Sequence, residues 1–375
     1  GDVYKRQVSN EDFLKNHSVI SYLKVNASLG LSGSDLFGHD LDRQSFGVTG
    51  GNYWFGSGNT QVTGLKEGTL AVTHLLAEKS RKFDLGVDMA LWNKLYVSAT
   101  YFNERRSNIL VDGSPVVSSV IGIGVPQLCE GIVKNQGVEL SLDFADKIGK
   151  FGYKVSGNFT YAKNKIINNN EGFKTEDYLY KKGQSLNQYY GLQSDGFFNT
   201  VDEINNSEIY QSFGELKPGD VRYVDQNGDK IVNEDDVVRL GYAVLPEIYY
   251  GFNVELSYEG FGLMANFQGV ANRNIYLNTA NVFVPLKNNT NISTWYLEEN
   301  TRWTPETMET ATLPRLTSED NPNNYQKSDI WMANGNYLKL RDLELSYTVN
   351  KNVLRKCGLK VFVRGTNSVS YTHLT

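Results

Sequence analysis

Asp225, Asn227, Asp229 and Asp236 stand at positions 1, 3, 5 and 12 of the run DQNGDKIVNEDD. Oxygen donors at that spacing can wrap Ca2+, with the carbonyl of Ile231 as a further ligand. Lys230 occupies the place where such loops carry Gly, Asp236 replaces a bidentate Glu, and Asp235 is an alternative last ligand. The competing use of these residues is a polar acidic loop. A second set is aromatic: Trp54, Tyr189, Tyr190, Phe197, Phe198, Trp295 and Trp303 lie in stretches without strand periodicity. Flat rings there can stack on sugar rings or peptide side chains, or pack the loops themselves.

Little else in the chain offers chemistry. Cys129 and Cys357 are far apart and lack a CxxC pattern, so they read as two unpaired thiols. His17, His39, His74 and His373 are dispersed. There is no glycine-rich phosphate loop, nucleophile elbow or paired-carboxylate motif, which argues against an enzyme. A net charge of −5 without a basic cluster along the sequence argues against a nucleic-acid surface.

The elements that must position these residues are strands. Ile248, Tyr250, Phe252, Val254, Leu256 and Tyr258 alternate with Asn253, Glu255 and Ser257. After Glu259 and Gly260, Phe261, Leu263, Ala265 and Phe267 resume the pattern, giving a hairpin with a very tight turn. The same figure recurs at Phe83 to Leu91 and Leu95 to Tyr101 around Asn93 and Lys94, and at Val138 to Phe144 and Phe151 to Tyr161 around Ala145 to Lys150. Tyr22 to Leu31, Leu338 to Val349 and Leu359 onward supply further strands, with a β-bulge expected near Arg341 and Asp342.

Connections then sort by parity. Short turns alternate with long segments, Ser32 to Thr73, Ser107 to Gly131, Asn168 to Leu245 and Leu277 to Asn334, with a moderate link at Asn350 to Gly358. Up-and-down strands with short turns at one end and long loops at the other mark an outer-membrane barrel, its long loops extracellular. Each arm of the Pro246 to Tyr276 hairpin has about the 9 to 11 residues that a tilted strand needs to cross a bilayer. The expected fold is an all-β, antiparallel, up-and-down transmembrane β-barrel. About nine of its strands are visible here, an incomplete set, because lipid tolerates no open sheet edge. Apolar positions should meet lipid, Asn253, Glu255 and Ser257 the lumen, and Tyr161, Tyr250, Tyr258 and Tyr347 the interfaces. Mean hydropathy is −0.41 and no run of apolar residues is long enough for a membrane helix. Residues 1–7 (GDVYKRQ) and 370–375 (SYTHLT) read as non-native tails flanking a barrel segment over 8–369.

At these residues the chain resembles the SusC/RagA family of TonB-dependent outer-membrane transporters. The matching phrases are EKSRKFDLGVDMALWNKLYVSATYFNERRSNIL (Glu78 to Leu110), NQGVELSL (Asn135 to Leu142), YKVSGNFTYAKNKI (Tyr153 to Ile166), YYGLQSDGFFNTVDEI (Tyr189 to Ile204) and GDVRYVDQNGD (Gly219 to Asp229). PEIYYGF (Pro246 to Phe252), RWTPE (Arg302 to Glu306) and NGNYLKLRDLELSYTV (Asn334 to Val349) follow in the same order. The resemblance implies a barrel of about 22 strands closed by an N-terminal plug. It also implies energisation through TonB, a SusD-like surface lipoprotein over the mouth, and import of an oligosaccharide or a peptide. The plug and TonB box are not in this sequence. The alternatives are a passive porin, an adhesin-like barrel that binds ligand without energised transport, and a soluble carbohydrate-binding β-protein.

Overall fold

The structure, a computed structural model, describes residues 2–11, 17–56, 60–287, 291–298, 301–349 and 358–372. Cys357, His373 and nearly all of the Asn350 to Gly358 link lie outside the described residues. The chain divides into two compact units, and the strand Phe151–Asn168 contributes to both.

The first unit holds β1 (Asp2–Gln7), β2 (Ile20–Ser34), β3 (Phe46–Phe55), β4 (Thr60–Glu67), β5 (Glu78–Leu91), β6 (Leu95–Val111), β7 (Leu128–Ile148) and the second half of β8 (Phe151–Asn168). Its sheet runs in the order β1-β2-β5-β6-β7-β8. Strands that follow one another in sequence lie side by side, as an up-and-down barrel requires. The β5–β6 turn uses left-handed backbone at Trp92 and Asn93, which reverses the chain between Leu91 and its partner Leu95. Residues Ser32 to Thr73, expected as plain loop, contain the β3–β4 hairpin. Their glycines hide any period of two.

Asp2–Gln7, set aside as a tail, pairs with β2 from Asp2 opposite Leu29 to Gln7 opposite Lys24. That pairing uses backbone groups of an open strand edge and needs no particular sequence.

In the second unit the sheet runs β8-β15-β16-β19-β20, with β15 (Ile248–Tyr258), β16 (Phe261–Ala271), β19 (Tyr337–Val349) and β20 (Leu359–Thr372). Glu259 and Gly260 both have positive φ, 46° and 94°, which is the turn that the two-residue link demanded. The expected bulge is present: the register shifts between Asn266 and Phe267 on one side and between Leu340 and Asp342 on the other. One extra residue there lets Leu338 and Leu340 share a face with Leu343 and Leu345 despite their different parity.

Register separates the two faces of both sheets. Leu256, Leu263, Leu345 and Val363 are successive cross-strand partners, as are Glu255, Met264, Glu344 and Arg364 one position away. Leu345 is 59% and Val363 77% exposed, whereas Glu344 is 4% exposed. Water would reverse that distribution, and an apolar face turned outward is stable where hydrocarbon covers it. Phe252 stacks on its direct partner Phe267 at 4.5 Å, and Phe261 meets Tyr347 at 4.7 Å, so aromatic pairs staple the outward face. Tyr250 lies across Gly269 of the neighbouring strand and donates to the Tyr337 carbonyl at 3.3 Å.

Above this sheet the long segments of the second unit fold on themselves. Six short strands, β9 (Tyr189–Gly191), β10 (Ser194–Phe197), β11 (Tyr210–Gln211), β12 (Val221–Tyr223), β13 (Ile231–Val232) and β14 (Val238–Leu240), pair as β10–β12, β11–β13 and β9–β14. β17 (Asn274–Tyr276) pairs with β18 (Met332–Asn334). Leu192, Phe197, Val221, Tyr223, Val232 and Trp303 form one apolar cluster of this assembly, and Tyr296, Leu313 and Trp331 a second.

Candidate functional site

Two regions could meet a solute. The first is the polar wall of the first unit, where Asn26, Ser28, Lys82, Asp84, Thr100, Asn103, Glu104, Asn135 and Glu139 line a concavity of about 690 Å3 with Phe102 and Val3. Apart from Asn103, which shares the parity of Tyr101 and lies opposite Phe83, these β-strand positions have the parity opposite to the apolar face, so one alternation builds both surfaces. Charges on this wall are mostly matched. Lys24 binds Asp88 at 2.8 Å, which also accepts from Ser98 at 2.8 Å; Ser28 donates to Asp84 at 2.9 Å; Arg106 reaches Glu104 at 2.8 Å and Glu78 at 3.4 Å. The result is a wet, hydrogen-bonding surface suited to a polar solute.

The second region is the loop assembly, and its centre is a buried carboxylate. Asp220 is fully buried and accepts from Arg315 Nε at 2.7 Å, Asn321 Nδ2 at 2.8 Å, Asn324 Nδ2 at 3.0 Å and the Lys217 backbone amide at 2.8 Å. Beside it, Asn323 Nδ2 donates to the Val221 carbonyl at 2.9 Å, Tyr223 Oη donates to the Asn323 carbonyl at 2.8 Å, and the Tyr223 amide donates to Gln211 Oε1 at 2.7 Å. The NPNN run at Asn321 to Asn324 is thus clasped to the GDVRY run at Gly219 to Tyr223. Burial pushes the phenols of Tyr223 and Tyr296 well up from their usual value and that of Tyr276 to about 12. Gly219 has φ +90°, and a Cβ there would meet the Trp303 ring at 2.4 Å. A glycine is therefore required for the turn and for the close approach.

The side chains of the acidic run bond the backbone amides of their own loop. Asp225 accepts from the amides of Gly228 and Lys230 at 2.7 and 2.8 Å, Asn227 from the amide of Asp229 at 2.9 Å, and Asp229 from the amide of Ile231 at 2.7 Å. Asp236 is fully buried and accepts from the amides of Gln226 and Asn233 at 2.7 and 2.8 Å. Among the described residues no three His, Cys, Asp or Glu side chains converge as a metal-ligand set. The physical reason is local: each of these side chains caps a backbone turn, and Asp236 closes a capping box with Asn233. Burial, and after it the carboxylates of Asp236, Glu176, Asp235 and Asp225, hold the Tyr178 phenol above its usual value.

The aromatic candidates separate by burial. Phe197 and Trp303 are each 9% exposed and belong to the first apolar cluster, with Trp303 Nε1 donating to Asn199 Oδ1 at 3.0 Å. Phe198 is 2% exposed. Trp295 packs against the second cluster. Phe197, Phe198 and Trp303 thus serve as packing of the loop assembly, and Trp295 is partly buried beside it. Tyr189 and Tyr190 lie on β9, where Tyr189 sits 5.9 Å from the Tyr276 ring. Trp54, on the β3–β4 hairpin, is 58% exposed.

A two-faced antiparallel sheet with an apolar outward surface and long structured loops defines the class, the transmembrane barrel of the bacterial outer membrane. No family model matches the chain. Among curated relatives it is similar to TonB-dependent receptor P26 of Formosa agariphila, at 25% identity over 96% of this chain and 36% of that protein. TonB-dependent receptor P39 of the same organism is 23% identical over 94% of this chain and 36% of its own length. The chain thus spans about a third of the curated relatives it matches. Its fold is that of the RagAB peptide transporter, with a TM-score of 0.71, 19% identity, 99% of this chain covered and 39% of that one. The RagAB peptide importer in its 'closed-closed' state gives 0.69 at 20% identity. The resemblance to the SusC/RagA transporters, and with it the outer-membrane β-barrel fold class, is borne out. These relatives are receptors and transporters rather than enzymes.

Proposed function

We propose that this chain is a barrel segment of a TonB-dependent outer-membrane importer that takes up an oligosaccharide or a peptide together with a SusD-like surface lipoprotein. The observation that most supports the reading is the inverted sheet: leucine and valine outward at Leu345 and Val363, Glu344 inward, with folded loops gathered at the end opposite the short turns. A polar wall in the first unit and a folded loop assembly in the second each suit passage of a hydrated solute, and we assign contact with it to Trp54, Tyr189 and Tyr190. Names of the similar receptors favour energised uptake over a passive porin or an adhesin.

The test is uptake by cells carrying the complete reading frame. Import that requires TonB and falls on deletion of the neighbouring SusD-like gene agrees with the proposal. Diffusive entry that persists without TonB would support the porin, and surface binding without entry the adhesin.

A further inference from the structure

Register assembles on the outward face of the first unit a basic row that the linear sequence scatters. Arg81 lies directly opposite Arg105, and Arg105 directly opposite Lys134, on three neighbouring strands. Lys79 stands one rung above Arg81 on the same face, opposite Ser107. All four have the parity of Phe83, Leu85, Tyr101 and Val138, the exposed apolar residues below them. Among the described residues none of the four makes an ion pair, whereas Arg106 and Lys24 on the opposite face each hold a carboxylate. The carboxylates that β1, β2, β5, β6 and β7 carry at outward parity are Asp2, opposite Leu29 at the sheet edge, Glu130, four residues along β7 from Lys134, and Asp146, at the short-turn end and paired with Lys94, and among the described residues none of them forms an ion pair with the row.

Like charges directly opposite on adjacent strands repel, so an unpaired row of three asks for an external anion. Its height says which. Arg81 is ten residues up β5 from Leu91 at the short turn. At about 3.3 Å per residue and a tilt of about 40°, that is about 25 Å above the turn, the height of the outward apolar band of such barrels. The row therefore meets the headgroup layer of the outer leaflet.

We propose that Arg81, Arg105 and Lys134, with Lys79 above them, form a binding site for the phosphate groups of outer-leaflet lipids. Guanidinium groups suit this task because their planar donors match phosphate oxygens in pairs. The inference rests on the barrel reading. If that reading failed, the full-length protein would not insert into lipid at all; if this inference alone failed, it would insert without lipid preference.

The experiment is native mass spectrometry of the full-length protein released from nanodiscs of phosphatidylcholine containing a minority of phosphatidic acid. Bound phosphatidic acid is expected to exceed its bulk share by about tenfold, and R81S/R105S/K134S to bring it close to bulk. K82S, on the opposite face, should leave the enrichment intact. R105S alone, and the wild-type protein at high ionic strength, should each lower it about threefold, which keeps the test decisive if the triple variant does not insert. Bulk composition around the wild-type protein, unchanged enrichment in R105S and in the triple variant, or retention of an acidic protein through these residues with lipid at its bulk ratio would overturn the proposal.

Discussion

Replacing Asp220 by alanine should loosen the loop assembly and leave the strands in place. The carboxylate is fully buried and receives four donors within 3.0 Å, from Arg315, Asn321, Asn324 and the Lys217 amide. Its loss leaves the Arg315 guanidinium, whose side chain is 18% exposed, without its anion, and two buried amide groups without their acceptor. Removing one partner of a buried ion pair costs about 3 to 5 kcal/mol. If opening is confined to the loops, that cost raises the open fraction by about two to four orders of magnitude. Hydrogen-exchange mass spectrometry on the full-length protein reads it directly. Peptides spanning Gly219 to Tyr223 and Arg315 to Trp331 should exchange faster by that factor, and those in Leu95 to Val111 should not change. Substitution D220A/R315M should recover much of the loss, because the stranded charge is removed as well. Exchange in D220A within about threefold of wild type would mean that the clasp holds nothing.

Val87 sits mid-way along β5 on the outward face, opposite Val25 and Ala99. V87R should destabilise the full-length protein folded into vesicles by about 2 to 4 kcal/mol in urea titrations, whereas arginine on a water-exposed face would be nearly neutral. At alkaline pH the loop assembly should weaken before the strands do. Tyr223, Tyr276 and Tyr296 have raised folded values through burial, and Lys217 and Lys287 are raised by their bonds to Glu319 and Asp320. Groups raised on folding contribute fully below their unfolded values, near 10 for both types, and lose that contribution as pH rises through the folded values. Ultraviolet titration of the phenols, paired with loop proteolysis from pH 9 to 12, should show both changing together about pH 10 and above. G137A on β7 should cost about 1 to 3 kcal/mol in the same urea assay, because its Cβ would meet the Tyr161 carbonyl oxygen at 2.0 Å and the Phe102 ring at 2.7 Å.

Sheet strands were legible because each repeats a two-residue period over about five to eleven positions, and the tight turns because Asn93 and Glu259–Gly260 interrupt it so briefly. The bulge near Arg341 was legible from a change of phase. Strands outrun the period at their loop ends: β7 begins at Leu128 and β8 continues to Asn168, where polar residues occupy both faces and alternation vanishes. The loop assembly was invisible for a different reason. Asp220, Gln211, Asn323 and Trp331 come together from segments 100 or so residues apart, and their pattern is set by individual hydrogen bonds rather than by a period. Phe197 and Trp303 looked like ligand platforms because aromatic residues in long loops serve either a ligand or a core, and sequence does not distinguish the two. The acidic run had the donor spacing of a calcium loop, but its side chains turn back onto backbone amides. The basic row needed the register itself, since Arg81, Arg105 and Lys134 are neighbours through pairing alone.

The outward apolar face should meet lipid. A nitroxide scan along residues 82 to 90 of the full-length protein in vesicles, with oxygen and a water-soluble nickel chelate as competing relaxants, addresses it residue by residue. Labels at positions 83, 85, 87 and 89 should be oxygen-accessible and nickel-protected, and those at 82, 84, 86 and 88 the reverse, in a period of two. Protection of 83, 85, 87 and 89 from both relaxants would mean that protein covers this face, and the barrel account would be wrong.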